Sequence, residues 1–193
     1  MSAKYAILID SRFCTGCNSC FYKCVQENRL HEEGAMGLTR TEVICNELDA
    51  GPYHHRCMHC LTPKCVESCK GKPEKALSKS PYGATLHNAA NCIGCETCLQ
   101  VCPFKVPQFN KKTNKSFKCS MCAHRIGQGK TPACVEVCFT NALKFGPFDA
   151  IATEARNLAA KEKLYLYGDK EAGGTSLFVL TKNDPHEVGY QKI

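Results

Sequence analysis

CIGCETCLQVCP, running from Cys92 to Pro103, is the stretch that decides how this chain reads. Cys92, Cys95 and Cys98 are each separated by two residues, Cys102 follows after three more, and a proline comes next. An earlier stretch, CTGCNSCFYKC, carries Cys14, Cys17, Cys20 and Cys24 and aligns with it residue for residue, Gly16 matching Gly94. Two more groups take a second form. Cys57, Cys60, Cys65 and Cys69 lie in CMHCLTPKCVESC, and Cys119 and Cys122 are followed after a longer gap by Cys134 and Cys138 in PACVEVC, which aligns with PKCVESC. Of the 17 cysteines in 193 residues, only Cys45 falls outside these four groups of four.

The spacing has a chemical reason. Each iron corner of a [4Fe–4S] cube takes one thiolate, and this is the spacing of bacterial ferredoxins. A tight loop with three cysteines wraps three corners and cannot reach the fourth, and in two-cluster ferredoxins the last cysteine of each run ligates the other cluster. The chain therefore predicts four [4Fe–4S] clusters in two interlocked units. Each unit combines one group of each form, which permits one with two and three with four, or one with four and two with three. Gly16 and Gly94 are expected to let backbone amides approach sulfur. Disulfides fit poorly with a repeated spacing and with an N-terminal stretch that has no apolar leader segment. Zinc fits the fourth group read alone, as a pair of knuckles, but the first and third groups overfill a two-ligand knuckle. Cys45, in Glu42–Leu48, is expected to be a buried structural thiol.

The formal charge of +7 looks basic. Four oxidised clusters with their thiolates, at roughly −2 each, bring the total to about −1. The lysines then offset buried anions, and nucleic acid is not implied; Lys111, Lys112 and Lys115 read as a solvated turn. With 44% hydrophobic residues, cysteines included, and no Trp, a large apolar core is not expected, and the clusters should dominate the interior. No stretch approaches the 18 apolar residues that a membrane span needs.

The pattern of elements is α+β. Strands are predicted at Ala6–Ile9, Glu42–Leu48, Ala84–His87, Ala142–Phe145 and Ser176–Leu180, and a hairpin joins Val106–Phe109 to Ser116–Lys118. Gly51-Pro52 reads as a turn, and His54–Cys60 as the start of the second cysteine loop. Short helices are predicted at Ser19–Gln26, Lys64–Ser68 and Glu96–Val101, and another begins at Thr131-Pro132. Ile151, Ala155, Leu158 and Ala159 at helical spacing give a longer amphipathic helix over Phe148–Lys163. Asn183–Ile193 has no clear period and reads as loose or as docking on a partner.

From about Tyr5 to Pro147 the chain resembles the four-cluster iron–sulfur subunits that accompany molybdenum or tungsten pterin enzymes. These are the electron-transfer subunits of dimethyl sulfoxide, polysulfide and thiosulfate reductases and of formate dehydrogenases, with a hydrogenase-associated branch. The motifs that carry the resemblance are CTGCNSCFYKC, CMHCLTPKCVESC, CIGCETCLQVCPF and KCSMCAHRIGQGKTPACVEVCFTNALKFG. It implies that groups two and three form an inner unit (51–103) inserted within an outer unit from groups one and four (1–50 and 104–150), with a C-terminal helix, strand and docking tail (151–193). The fold implied is thus a pair of interlocked bacterial-ferredoxin-like units with small antiparallel sheets and short helices. The resemblance also implies the ligand sets. Cys14, Cys17, Cys20 and Cys138 hold one cluster, and Cys24, Cys119, Cys122 and Cys134 a second. Cys57, Cys60, Cys65 and Cys102 hold a third, and Cys69, Cys92, Cys95 and Cys98 the fourth. The first of these would face the pterin subunit. Only Cys102 is followed by the usual proline, and the stretch KGKPEKALSKSPYG after Cys69 departs from the family's turn.

The function that follows is non-catalytic: an electron-transfer subunit relaying single electrons to or from a catalytic pterin subunit of an anaerobic oxidoreductase, with a further redox or membrane-anchor subunit as a second candidate partner. The alternatives are a freestanding polyferredoxin shuttle, a hydrogenase-associated subunit and, from a different class, a zinc-bound interaction module. LYGDKEAGGTSLFVL looks like the closing segment of the formate dehydrogenase and hydrogenase-associated branches. Those often continue into a membrane helix that this sequence does not show, so a soluble, cytoplasmic complex is expected, with periplasmic co-export as the alternative. His54, His55 and His59 read as surface residues, with tuning of a cluster potential as the other option. Lys118 and Arg125 flank the fourth group, either as ordinary ion-pair partners or as stabilisers of a reduced cluster.

Overall fold

Residues 3–30, 39–45 and 51–193 are described by the structure, a computed structural model. Two apolar segments distant in sequence form its centre. Strand β1 (Tyr5–Asp10) and strand β10 (Leu177–Thr181) pair in parallel, Leu8 opposite Phe178. Between them in sequence come β2 (Thr41–Cys45), β3 (Pro52–Arg56), β4 (Leu77–Lys79), β5 (Thr85–His87), β6 (Gln108–Asn110), β7 (Lys115–Phe117), β8 (Leu143–Pro147) and β9 (Tyr165–Tyr167). One sheet has the order β8-β1-β10-β9, with both outer strands antiparallel to their neighbours. The hairpins β2–β3, β4–β5 and β6–β7 stand as separate two-stranded ribbons.

Side chains alternate across a strand, and here both faces are covered. Ala6, Leu8, Phe178 and Leu180 face one side and pack with Ile151, Ala152 and Ala155 of α6 (Phe148–Glu162). Ile7, Ile9, Leu177 and Val179 face the other side and join a core that also holds Cys20, Cys57, Cys119 and Cys134. Double burial explains why these strands read as unbroken apolar runs. Helix α6 has no internal Gly or Pro and ends where Lys163 turns left-handed at φ +53°.

The α+β class and the small antiparallel sheets are as the sequence predicts. The interior is shared, however: one core contains cysteines and the other is made of the chain's own aliphatic and aromatic groups. The remaining helices are short: α1 (Ser19–Glu27), α2 (Lys64–Glu67), α3 (Thr97–Val101), α4 (Ala123–Ile126), α5 (Ala133–Glu136) and α7 (Pro185–Val188).

Several expectations shift. His54–Arg56 belongs to β3 rather than to a cysteine loop. The strand expected at Glu42–Leu48 is described over Thr41–Cys45, and residues 46–48 lie outside the described residues. The tail is not loose. Asp184 caps α7 by accepting from the His186 amide, and Val188 and Tyr190 are buried, Tyr190 stacking edge-on to Tyr53 at 4.6 Å. Strands β4 and β9 and helix α4 have no counterpart in the elements read from sequence.

Candidate functional site: four groups of thiols

The two cysteine-loop forms fold as their sequence repeat requires. In the first and third groups, the residue before the helix is left-handed, Asn18 at φ +59° and Glu96 at φ +54°. Gly16 and Gly94 are also left-handed, at φ +69° and +74°. That conformation turns the Gly16 amide onto the Cys14 sulfur and the Gly94 amide onto the Cys92 sulfur. Each loop also sets a hydroxyl beside its second cysteine: Ser19 Oγ is 3.4 Å from Cys17 Sγ, and Thr97 Oγ1 is 3.5 Å from Cys95 Sγ. These hydroxyls hold the Cys17 and Cys95 thiols below their ordinary pKa. Both cysteines are exposed.

Helix pairs then bring the groups together. Helix α1 carries Cys20 and Cys24 on one buried face, an i,i+4 pair, and packs on α5, which carries Cys134. Helix α3 carries Cys98 and packs on α2, which carries Cys65. Two cavities follow from the second arrangement. One, with about 350 Å³ of atom-free space, is lined by Cys57, Cys60, Cys65 and Cys102 together with Thr85 and Lys118. The other, about 300 Å³, is lined by Cys69, Cys92, Cys95 and Cys98 together with Ser116. In each, one of the four cysteines comes from the other group's run.

The outer thiols are grouped by the charges they feel. Burial pushes Cys14 up, and Cys138 and Cys17 add to the rise. Burial also raises Cys24, with Cys119, Cys134 and Cys122 the next contributors. Cys20, pushed up to about 11 by burial, feels Cys134 and Cys14. Cys60, Cys65 and Cys122 rise to about 12 for the same first reason. Buried thiols of this kind must lose protons to bind iron, so assembly releases protons.

The thiol groups fit a cube better than a single ion. A zinc site brings four ligands to about 2.0–2.3 Å of one point, and among the described residues no three His, Cys, Asp or Glu side chains are placed to hold one metal ion.

Around the thiols lies a basic lining that the sequence reading only partly finds. Arg56 is buried, with Nη2 donating to Cys134 Sγ at 3.4 Å and lying 3.8 Å from Cys119 Sγ. Lys79 Nζ donates to the carbonyls of Cys60 and Gly83, each at 2.7 Å, and of His59 at 3.0 Å. Lys118 is buried and donates to the carbonyls of Thr85 and Cys119. Neither Arg56 nor Lys79 stands out in the sequence. Arg56 directly precedes Cys57 with no motif to mark it, and Lys79 lies in the irregular stretch after Cys69. A strand period through PYHHR would point Arg56 inward with His54.

The histidine expectation is corrected for two of the three. His54 and His59 are buried, and only His55 is partly open. His54 Nε2 lies 3.3 Å from Cys14 Sγ, and burial pushes its pKa down to about 3. His59 Nδ1 accepts the Thr85 amide at 3.0 Å, which leaves the ring proton on Nε2.

Cys45 is exposed rather than buried, and its sulfur sits against Gly16, beside the first loop. Arg125 makes ordinary ion pairs with Glu27 at 2.8 Å and Glu136 at 2.7 Å. Lys111 and Lys112 are solvated as expected, but Lys115 folds in to donate to the Cys92 carbonyl.

Residues 52–148 match the 4Fe-4S dicluster domain family. The protein belongs to that family. It is 30% identical to the nitrate-inducible formate dehydrogenase iron-sulfur subunit of Escherichia coli, over 96% of this chain and 71% of the relative. It is 31% identical to the thiosulfate reductase electron transfer subunit PhsB of Salmonella typhi, over 98% and 97%. It is 33% identical to one of the chains of the anaerobic dimethyl sulfoxide reductase of Escherichia coli, over 83% and 82%. It spans about half the length (54%) of a further relative, from Nitratidesulfovibrio vulgaris. Among the described residues no helix is long and apolar enough to cross a membrane.

Proposed function

We propose that this dicluster-family protein is an electron-transfer subunit carrying four [4Fe–4S] clusters in a row, serving a catalytic molybdenum or tungsten pterin subunit. The observation that carries the reading is the crossed cysteine in each cavity: Cys102 sits with Cys57, Cys60 and Cys65, and Cys69 sits with Cys92, Cys95 and Cys98. A cube bridging two runs needs such a crossing. For the outer pair, the sets are Cys14, Cys17, Cys20 with Cys138, and Cys24 with Cys119, Cys122 and Cys134. The charge coupling among these thiols and the packing of α1 on α5 support them. The same pairing supports an outer unit of 1–50 with 104–150 around an inner unit of 51–103. The clusters would supply one-electron chemistry, and the chain's residues position them, exclude water and offset charge.

The order of the row is supported by shared neighbours. Cys20 feels Cys134, Lys118 adjoins Cys119 and acts on Cys65, and Cys65 feels Cys98. The two exposed cysteines within the four groups, Cys17 and Cys95, then mark the two ends. A partner fits the Cys17 end, where large aromatics stand in solvent beside the ligands: Phe13 before Cys14, Tyr22 after Cys20 and Phe139 after Cys138, the last 69% exposed. Exposed apolar groups gathered at one place mark an interaction site. This favours a fixed complex over a free shuttle. The names of the relatives, which are subunits of formate dehydrogenase, thiosulfate reductase and dimethyl sulfoxide reductase, support the kind of partner.

The test is native anaerobic purification followed by iron analysis, paramagnetic resonance after dithionite, and size-exclusion. The reading expects about sixteen irons per chain, reduced-cluster signals, and co-elution with a pterin-bearing subunit. Elution as a free 21.3 kDa species supports the shuttle instead. Iron far below about sixteen, or no signal, ends the four-cluster reading.

A further inference from the structure

Arg56 is a buried cation with no carboxylate counter-charge among the described residues, and unlike Lys79 and Lys118 it points at sulfur rather than at carbonyls. It lies at the end of β3, 3% exposed. Among the described residues no carboxylate pairs with it, and its Nε and Nη1 have no hydrogen-bond partner. Its Nη2 donates to the Cys134 sulfur at 3.4 Å and to the Cys119 sulfur at 3.8 Å. Its strongest favourable electrostatic partners are Cys134 and Cys119, with Cys20 weaker. An isolated buried guanidinium is strongly disfavoured unless an anion compensates it. Among the described residues, the anions at hand are chiefly the thiolates of Cys134 and Cys119, in the group with Cys24 and Cys122, and more weakly that of Cys20, with whatever they hold.

We propose that Arg56 is a potential-setting residue: its buried positive charge holds up the midpoint potential of the cluster on Cys24, Cys119, Cys122 and Cys134, so that an electron can enter the interior of the row. This rests on the four-cluster reading above. The physical need is specific to that position. All four thiols there, Cys24, Cys119, Cys122 and Cys134, are at most 7% exposed. Water, which stabilises added negative charge at an exposed cluster, is excluded there, whereas Cys17 and Cys95 open the end groups to solvent. A reduced cluster carries one more negative charge than its oxidised form, and both cluster charge and hydrogen bonds to sulfur move the potential. Arg56 supplies a charge and a hydrogen bond at once. A guanidinium does not deprotonate in proteins, so the residue answers the arriving electron by charge alone and releases no proton. Interaction in a low-dielectric interior is far stronger than at the surface, which is why one residue suffices.

The experiment uses the holo-protein, reduced stepwise with dithionite and mediators under anaerobic conditions, with paramagnetic resonance reading each cluster's midpoint. In Arg56→Gln one midpoint should fall the most and the neighbour containing Cys20 should fall by less. The cluster of Cys69, Cys92, Cys95 and Cys98, whose shifted thiols answer to other neighbours, should not move. Arg56→Lys should return the fallen midpoint towards the wild-type value. No shift in Arg56→Gln, an equal shift in all four, or a fall in Arg56→Lys as large as in Arg56→Gln would each overturn the assignment. Should Arg56→Gln fail to assemble that cluster, Arg56→Lys decides: an unchanged midpoint upholds the role of charge, and a lowered one removes it. A wild-type protein without four titrating clusters would defeat the underlying reading. Four normal clusters and an indifferent Arg56→Gln would defeat this proposal alone.

Discussion

Phe178→Ala tests whether the sheet and α6 form a core of their own. Phe178 is 1% exposed, opposite Leu8 on the parallel strand, with its ring 5.7 Å from that of Phe148. Truncating a buried Phe costs about 3–5 kcal/mol, more where the surroundings cannot close in. The neighbours here include Ala6, Ala152 and Ala155, whose short side chains cannot reach into the space. The cost should therefore fall in the upper half of that range. With a urea slope of about 2–3 kcal/mol per molar, the unfolding midpoint should drop by about 1.3–2.5 M. The assay follows far-UV circular dichroism and visible cluster absorption in parallel, anaerobically, in urea. Midpoints are the quantity to compare, because loss of a bound group breaks two-state behaviour. Both signals should shift together, since β1 runs straight into the Cys14 loop. Phe139→Ala, at 69% exposed, is the comparison and should change stability by less than about 0.5 kcal/mol. If Phe178→Ala moves the midpoint no further than Phe139→Ala, the packing of α6 against the sheet is wrong.

Three other outcomes are expected. Cys69 and Cys95 line one cavity, and the crossed ligation proposed for it means that Cys69→Ala and Cys95→Ala should each remove or degrade the same cluster. The double variant should then lose about four irons rather than about eight, and a loss near eight refutes the pairing. Glu27 is held below the usual carboxylate range by hydrogen bonds from His124 and then Arg125. Its folded pKa is depressed, so its contribution is complete above the unfolded value of about 4.3 and vanishes as pH falls through the folded value. Glu27→Gln should thus cost about 1 kcal/mol near neutral pH and progressively less as the pH falls below about 4.3, and a cost independent of pH would contradict the ion pair. Iron chelation should collapse the circular dichroism signal of α2 and α5, four residues each, because helices this short do not persist unaided. A chelated protein with an unchanged spectrum would count against coupling of clusters to folding.

The cysteine spacing makes the loops, the short helices after them and the repeat between groups one and three legible, because each is a local consequence of wrapping one object. The run SLFVL is legible as a strand for a different reason: continuous apolar residues of that length suit burial on both faces. Position in space is not legible. PYHHR opens on a proline and is otherwise aromatic or basic, so its alternation is hidden, and with it the inward direction of His54 and Arg56. His59 and Lys118 are visible as residues near cysteines, but their burial depends on the distant Thr85, which takes the His59 ring and the lysine together. Cys45 departs from expectation because a free cysteine is usually buried, and here the strand end that carries it reaches the surface beside the first loop. The tail departs because its anchors are isolated residues without a period: Val188 is buried, and Tyr190 is held by partners on β3 and β9.

The parallel pairing of β1 with β10 has a temporal consequence. During synthesis the segment carrying Tyr5–Asp10 emerges well before Leu177–Thr181 and must wait for it to pair. Ser11 finds its acceptor on Leu180, 169 residues later. Until α6 and then β10 follow, the two strongly apolar faces of β1 lack their native cover, so a nascent chain of this kind is exposed to aggregation over that interval. A helper that shields Tyr5–Asp10, or slow delivery of iron and sulfide, therefore costs the finished protein nothing, since its sheet cannot close sooner.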